Sequence, residues 1–468
     1  AYLPAGPPEP QAIEQFRGVN TQTTRVGVKD EEMAWCDGFM PIAPFKLRVI
    51  PDHGDALWDA PEEIAFFDFA NIGETAIMIA VLTDGSIYQV DTSTGVETQI
   101  AAAATITNPS RLTCGISQYG SQYVQIVAQQ TNGYFLWDGT TFYAPAGPAP
   151  GGGTMPTAVG GTAVENYQGR VWIIDGATLI FSAPGSVYDF STGNGGGSIT
   201  STDSFLRVRY VQLKQTNGFL YLIGDSSVNY ISGVQTSGSP PTTTFTNQNA
   251  DPEVGTPWPA ALTVFNRNIL FANPFGVQVS YGAAVTKVSE MLDGVYNTVP
   301  NFGGFTPSCA KHILYGKKVF VLLLPIVDPV TNQQVNKLLF WDGKLWWASE
   351  QSVDLIYIQH LEINSVLSAY GTDGNSVFPL FTTPTINFRK TLQSKFWTAP
   401  GGYQFTKGST RLWGLFIIYS LLGISLVVNV DNETNGVNTV TVALQSPELI
   451  WFNDDGDEIT WLNNAADE

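Results

Sequence analysis

Charge is scarce in this chain, and positive charge scarcest. Only 13% of the 468 residues are Asp, Glu, Lys or Arg, about half the usual ~25%. A disordered chain would be more charged and less apolar than one with 44% hydrophobic residues. Lys and Arg number 22 against 41 Asp and Glu, a net charge of −19. A lasting grip on phosphates needs Lys and Arg to displace counterions, so a stable nucleic-acid complex is not expected. The same negative field would let DNA pass without sticking. Cysteine is also sparse. Cys36, Cys114 and Cys309 are too few for a disulfide scaffold and form no C-x-x-C pair, so they read as buried free thiols made in a reducing cytoplasm. The opening AYLPAGPPEP has neither the basic nor the apolar region of a signal peptide. Histidine is limited to His53, His312 and His360, none in H-E-x-x-H spacing. No G-x-S-x-G elbow and no P-loop occurs; the glycine-rich run 193–197 lacks a following Lys-Ser/Thr. The acidic run 454–458 has the wrong spacing for a calcium loop. The expectation is a non-enzyme with no cofactor, no metal and no catalytic residue. Carboxylate pairs of the glycosidase type stay open, because pairing in space is invisible in sequence.

Turn formers and aromatics are abundant. The chain has 46 Gly, 28 Pro, 27 Phe, 18 Tyr and 12 Trp, which fits a turn-rich β protein and not a helical bundle. One pattern recurs: an apolar strand, a turn that is often Asp-Gly, then an aromatic-rich strand. Seven copies can be aligned: IMIAVLTDGSIYQV (77–90), GYFLWDGTTFYA (133–144), GRVWIIDGATLIFSA (169–183), GFLYLIGDSSVNYIS (218–232), RNILFANPFGVQVSY (267–281), KLLFWDGKLWWAS (337–349) and SAYGTDGNSVFPLF (368–381). Asp-Gly is expected to supply the positive φ angles of a two-residue hairpin turn. The copies recur at an average of about 50 residues, close to the ~40–50 of a four-stranded propeller blade. A lone hairpin cannot bury its faces, so radial stacking is the natural solution. The expected fold is all-β: a β-propeller-like ring of about seven blades over 52–385, with an N-terminal arm and extended strands over 1–51 and a small C-terminal β domain over 386–468. A tandem of β-sandwiches is the alternative architecture. The segments 144–161 and 236–255, rich in Gly, Pro and Thr, read as exposed loops or inter-subunit arms.

Two stretches leave other functions open. Trp341, Trp346 and Trp347 could stack on sugar rings if the ring were a carbohydrate-binding or carbohydrate-active propeller. Residues 412–428 carry no charge and reach the lower limit of a membrane helix, although their β-branched and aromatic content favours two buried strands. A membrane-interacting ejection protein is the second alternative.

The N-terminal run Phe16-Arg17-Gly18-Val19-Asn20, the acidic Asp30-Glu31-Glu32 and the extended Leu47-Arg48-Val49-Ile50-Pro51 resemble the opening of the tail nozzle, or tail-tube hub, proteins of short-tailed bacteriophages, which include the DNA-stabilisation tail proteins. Where that family usually has an Asn after the acidic segment, this chain has Cys36-Asp37-Gly38. The segment 181–191, with Ser182, Pro184, Gly185 and Phe190, is similar to the family's S-x-P-G turn, and 220–233, with Gly224, Ser227 and Gly233, to its L-Y-x-x-G-x-x-S strand pair. Gln393-Ser394-Lys395-Phe396-Trp397 is a fainter echo. These matches, on Phe16, Gly18, Asn20, Ser182, Pro184, Gly185, Phe190, Gly224, Ser227 and Gly233, are architectural and carry no chemistry. The resemblance implies a structural virion protein: a propeller protomer, usually six per ring, below the head-to-tail adaptor and portal. It would meet tail fibres or spikes and surround DNA transiently, without sequence-specific binding or stable membrane insertion. Assembly would occur in the host cytoplasm, ending in the phage tail.

Overall fold

The computed structural model describes residues 16–24, 27–43, 46–200, 209–282, 284–298, 305–363, 366–383 and 391–393, and four backbone strands between 424 and 459. Helix among them is limited to Asp293–Tyr296 and the 3-10 turns Thr192–Asn194 and Glu290–Leu292. The rest is a seven-bladed β-propeller. Its blades are antiparallel sheets over residues 64–101, 114–143, 163–200, 210–251, 262–287, 308–349 and 357–379, numbered 1 to 7 here. The first strand of each blade lies beside the first strand of the next, and Tyr357–Ile363 of blade 7 returns to Ile64–Ile72 of blade 1. That closed inner ring surrounds an axial channel.

Middle strands are apolar on both faces because each sheet is covered by a blade on either side. All of Ile77–Leu82 is buried, as are Val319–Ile326 in blade 6. One cluster (Phe66, Val81, Ile126, Trp137) fills the gap between blades 1 and 2, and another (Trp172, Phe181, Leu213, Ile231) that between blades 3 and 4. Each fully buried side chain of this kind contributes about 1.5–3 kcal/mol. The three cysteines are free and buried, and burial pushes the Cys309 thiol up to about 12.

The ring is closed by strands far away in sequence. Trp58–Asp59 pairs with Ser376–Pro379 and becomes the fourth strand of blade 7. Trp35–Asp37 runs parallel to Trp346–Ser349 and antiparallel to Thr391–Gln393, which widens blade 6 to six strands. The boundary expected at residue 51 therefore falls inside the propeller. The arm is not a separate unit from Phe16 onward; residues 1–15 lie outside the described residues. The chain divides into compact units at 1–397 and 398–468, not at 386. In the second unit Ile424–Val430 pairs with Asn438–Leu444, and Trp451–Phe452 with Glu458–Ile459. Of the uncharged run 412–428, residues 424–428 form a strand and 412–423 lie outside the described residues. No helix among the described residues is long and apolar enough to cross a membrane.

Each of the seven aligned copies falls in a different blade. Five are the second and third strands of their blade. Those at 133–144 and 337–349 are the third and fourth, which accounts for the uneven spacing. The turn chemistry differs from the expectation. Asp84, Asp138, Asp342 and Asp373 keep negative φ, and only the following Gly85, Gly139, Gly343 and Gly374 are positive. The aspartates act through their carboxylates. Asp138 Oδ1 accepts the backbone N–H groups of Thr140 and Thr141 (2.9 and 2.7 Å), and Asp373 Oδ1 those of Asn375 and Ser376 (both 2.9 Å). This is the Asx turn, in which a side chain replaces a backbone acceptor. Only Asp175 pairs across to Thr178 and leaves a two-residue turn.

Two expected loops are built differently. Much of 236–255 is strand: Val228–Ser237 and Thr242–Asp251 form a ten-residue hairpin that supplies the outer half of blade 4. Within 144–161, Ala149, Met155 and Val159 are buried against Tyr134, Val171 and Ile173, so this loop adds to the core between blades 2 and 3.

Candidate functional site

The axial channel gathers the polar side chains of the first strands. A cavity of about 240 Å³ is lined by Asp68, Ser117, Gln118, Lys214, His360 and Glu362, among others. In the wall, Lys311 Nζ lies 2.9 Å from Glu362 Oε2, and Lys214 Nζ 3.9 Å from Glu165 Oε2. Burial pushes the Asp68 carboxyl up to about 6, with Lys214 opposing and Glu165 adding to the rise. Glu165 is raised by burial too. Burial works against Glu362 as well, yet the hydrogen bond and charge of Lys311 hold it low. His360 is held well below the usual imidazole range, first by burial and then by Lys311, Lys214 and Lys318. His312 falls to about 4 through burial, and its Nδ1 accepts the Ala369 N–H at 3.2 Å. The channel is thus a small mixed-charge site with one neutral imidazole, that of His360, while His312 packs between blades 6 and 7. Its size suits a small molecule and not a nucleic-acid duplex.

A second charged cluster is largely buried, with Glu350 at its partly exposed rim. Lys337 Nζ sits 2.8 Å from Asp37 Oδ2 and 3.0 Å from Asp328 Oδ2, and also bonds Glu350 Oε1. The three carboxylates are close enough together to hold a metal ion, but the ammonium of Lys337 stands among them. Burial lowers the charge preference of Lys337, yet Asp37 and Glu350 leave its pKa raised. Asp37 is raised by burial, with help from Glu350 and Asp328, against the pull of Lys337. One base cannot satisfy three buried acids, so the most enclosed of them resists ionisation. Asp37 belongs to the strand that the N-terminal segment adds to blade 6, so the cage fastens that segment.

One contact has the form of a nucleophile and base. Ser352 Oγ lies 2.9 Å from His53 Nε2. His53 Nδ1 faces the Gly54 carbonyl at 2.7 Å and not a carboxylate, and Asp52 Oδ1 is taken up by the N–H groups of His53 and Ser352. These bonds tie segment 52–54 to blade 7's approach and form no triad.

The residues singled out by resemblance fall into two latches away from the channel. In the first, Val19 N donates to the Trp346 carbonyl (2.8 Å) and Asn20 Nδ2 to Glu32 Oε2 (2.6 Å), while Phe16 packs on the blade 6 core. Gly18 has φ +78, and a Cβ there would meet the Trp346 carbonyl oxygen at 2.7 Å, so no larger residue fits. In the second, the Ser182 hydroxyl accepts the Val171 N–H and donates to the Ser186 carbonyl. Gly185 N donates to the Gly169 carbonyl, beside exposed Pro184, and Phe190 meets Tyr134 edge-on at 5.4 Å. Buried Arg170 joins this loop to the outer hairpin of blade 4. It donates to the carbonyls of Ser182 and Gly195 and to the hydroxyls of Thr236 and Thr243. Gly224 and Ser227 close the turn that leads from Phe219–Gly224 into that hairpin through a 2.8 Å backbone bond, and Gly233 (φ +62) sits at the hairpin's bulge. Gln393 pairs with Trp35; 394–397 lie outside the described residues. Trp341, Trp346 and Trp347 are not available to sugars. All three are buried; Trp346 Nε1 donates to the Val288 carbonyl and Trp347 stacks on Phe340.

No family model matches this chain, and no curated protein matches it. Among solved structures, a streptogramin B lyase is similar over 69% of this chain and 95% of its own, at 9% identity and a TM-score of 0.43. BBS1N, crystallised in complex with ARL6DN, is similar over 74% and 98%, at 8% identity and a TM-score of 0.42. Raptor of Chaetomium thermophilum is similar over 72% of this chain and 30% of its own, at 8% identity and a TM-score of 0.43. Likeness at such identities concerns the fold alone. By its own topology the first unit is a seven-bladed β-propeller.

Proposed function

We propose that this protein is a structural ring component of a short-tailed phage tail, a nozzle that retains DNA and lets it leave. The observation that carries the reading is where the resemblance residues lie. They build two latches, one seating the N-terminal segment on blade 6 and one seating the long hairpin on blade 3. The first fastens a segment added to the propeller, and the second ties the lengthened outer hairpin of blade 4 to its neighbour. The charge distribution agrees: Asp138 and Asp189 accept hydrogen bonds from their own turns, which hold them low against partial burial, so they stay ionised. Turns of this kind offer phosphates no cation. Since the propeller's own channel is too small for a duplex, DNA would run between copies, through the lumen of their ring, and six copies would multiply the −19 sixfold.

Electron microscopy of the purified chain and of virions tests this. The expected image is a closed ring of defined symmetry with an open centre, present in the tail. Monomers at micromolar concentration, with the chain missing from virions, would overturn it.

A further inference from the structure

Propeller blades end in an outer strand whose far edge is unpaired, and such edges invite pairing with other chains. Six blades of this molecule restrict that edge. The outer strands of blades 1, 2, 3 and 5 are Glu97–Ala101, Phe142–Tyr143, Gly197–Thr200 and Val285–Lys287, of five, two, four and three residues. Blades 6 and 7 are covered by Trp35–Asp37 and Trp58–Asp59. Blade 4 differs. Its outer strand, Thr242–Asp251, runs for ten residues, and no strand among the described residues pairs with its far side.

The strand carries no Lys, no Pro and no charge before Asp251, and the register shifts of its hairpin fall at Ser232–Gln235 and beside Asp251. Residues 226–250 hold no charged side chain at all, in a chain of net −19. The strand is also held rigid. Arg170 bonds Thr236 and Thr243, and Phe245 meets Trp172 and Phe181 of blade 3 edge-on at 5.4 and 5.6 Å. Thr242, Thr244, Thr246 and Gln248 remain exposed. A pre-ordered edge costs little entropy to dock on, and its backbone groups give affinity without charge.

We propose that the edge of blade 4 pairs with an extended strand of a second copy of this chain. A copy is the occupant that the charge pattern selects. Two strongly acidic molecules repel over most of their surfaces, and a long neutral edge is where they can meet without opposing like charges. The inference supplies a contact that ring assembly requires, and rests on that reading for its purpose only.

The test compares the full chain with two double variants, Thr244→Glu/Thr246→Glu and Thr244→Gln/Thr246→Gln, by sedimentation at micromolar concentration. Both alter exposed side chains at matched size, so they differ in charge alone. The wild type and the Gln pair should assemble alike. The Glu pair should self-associate at least about tenfold more weakly, with partial recovery in high salt. Hydrogen exchange reads the pairing directly: the amides of 242–250 that do not bond Val228–Ser237 should be slow in the assembly and at least about tenfold faster after dilution to monomer. Equal assembly of the Glu and Gln pairs, or edge amides indifferent to dilution, overturns the proposal. A ring that persists in the Glu pair removes this edge and leaves the nozzle reading standing; a monomeric wild type removes both.

Discussion

Two buried cations fasten outlying strands to their neighbours in the propeller, and they do so by opposite chemistry. Lys337 holds the N-terminal strand on blade 6 through the carboxylates of Asp37, Asp328 and Glu350. Arg170 holds the long hairpin on blade 3 through neutral oxygens only, two carbonyls and two hydroxyls. Burial lowers the pKa of Arg170 with no acid to oppose it, whereas the acids around Lys337 reverse the effect of burial. A guanidinium is weakly hydrated and its five donors fit scattered acceptors, so it can be enclosed without a counterion. An ammonium is a compact, strongly hydrated charge and needs anions close by. The Lys latch is therefore over-supplied with negative charge, and the Arg latch is not.

Removing each cation should expose that difference. Lys337→Met leaves three carboxylates facing one another, two of them buried. Loss of one partner from a buried ionic cluster costs about 3–5 kcal/mol, and this cluster belongs at the upper end. Denaturant unfolding should show the loss, and hydrogen exchange should show the strand Trp35–Asp37 released. Arg170→Met leaves only neutral acceptors unsatisfied, so about 2–3 kcal/mol is expected, with faster exchange confined to 182–195 and the hairpin 228–251. An Arg variant that costs more than the Lys variant would reverse the comparison.

Much of the wheel was legible in the sequence, because a turn between apolar strands, Asp-Gly in five of the seven copies, marks one hairpin per blade. The two copies at 133–144 and 337–349 fall one strand late. In their blades the preceding connections, 129–133 and 328–333, are longer and lack Asp-Gly. The innermost strands left no such mark. Tyr210–Thr216 and Ser308–Leu314 carry Lys214, Lys311 and His312 toward the crowded axis, which blurs their apolar pattern. The segment 236–255 read as a loop because Gly and Pro cluster at the hairpin tip, 238–241, although the Thr residues that follow favour a strand. The two buried-cation contacts were beyond reach for a simpler reason. Asp37 meets Lys337 across 300 positions, and Arg170 meets Thr243 across 73, and nothing local announces either.

Conservative exchange sharpens the comparison at smaller scale. Arg170→Lys keeps the charge but cannot reach four acceptors at once, so about 1–2 kcal/mol should be lost by denaturant unfolding. Full stability in this variant would mean that the fork geometry contributes nothing.

The smallest effect is expected at Asp37, and its signature lies in the pH dependence. The Asp37 carboxyl is raised in the folded protein, mainly by burial. Between its unfolded value, near 4, and its higher folded value, the native state binds the extra proton. Stability must then fall as pH rises through that window, since the slope follows protons bound in the unfolded state minus those bound in the native state. Asp328 behaves oppositely: bonds from Thr331 and Val330 and the charge of Lys337 hold it low despite burial, so its contribution is lost as pH falls. Asp37→Asn keeps the shape and removes one of the competing charges. It should change stability at neutral pH by no more than about 1 kcal/mol, because relief of repulsion offsets the lost ion pair. Above pH 4 its stability curve should be flatter than that of the wild type. Denaturant midpoints across pH 4 to 8 measure this, and a steeper decline in the Asn variant would show that Lys337 depends on all three acids and that the latch holds no excess of negative charge.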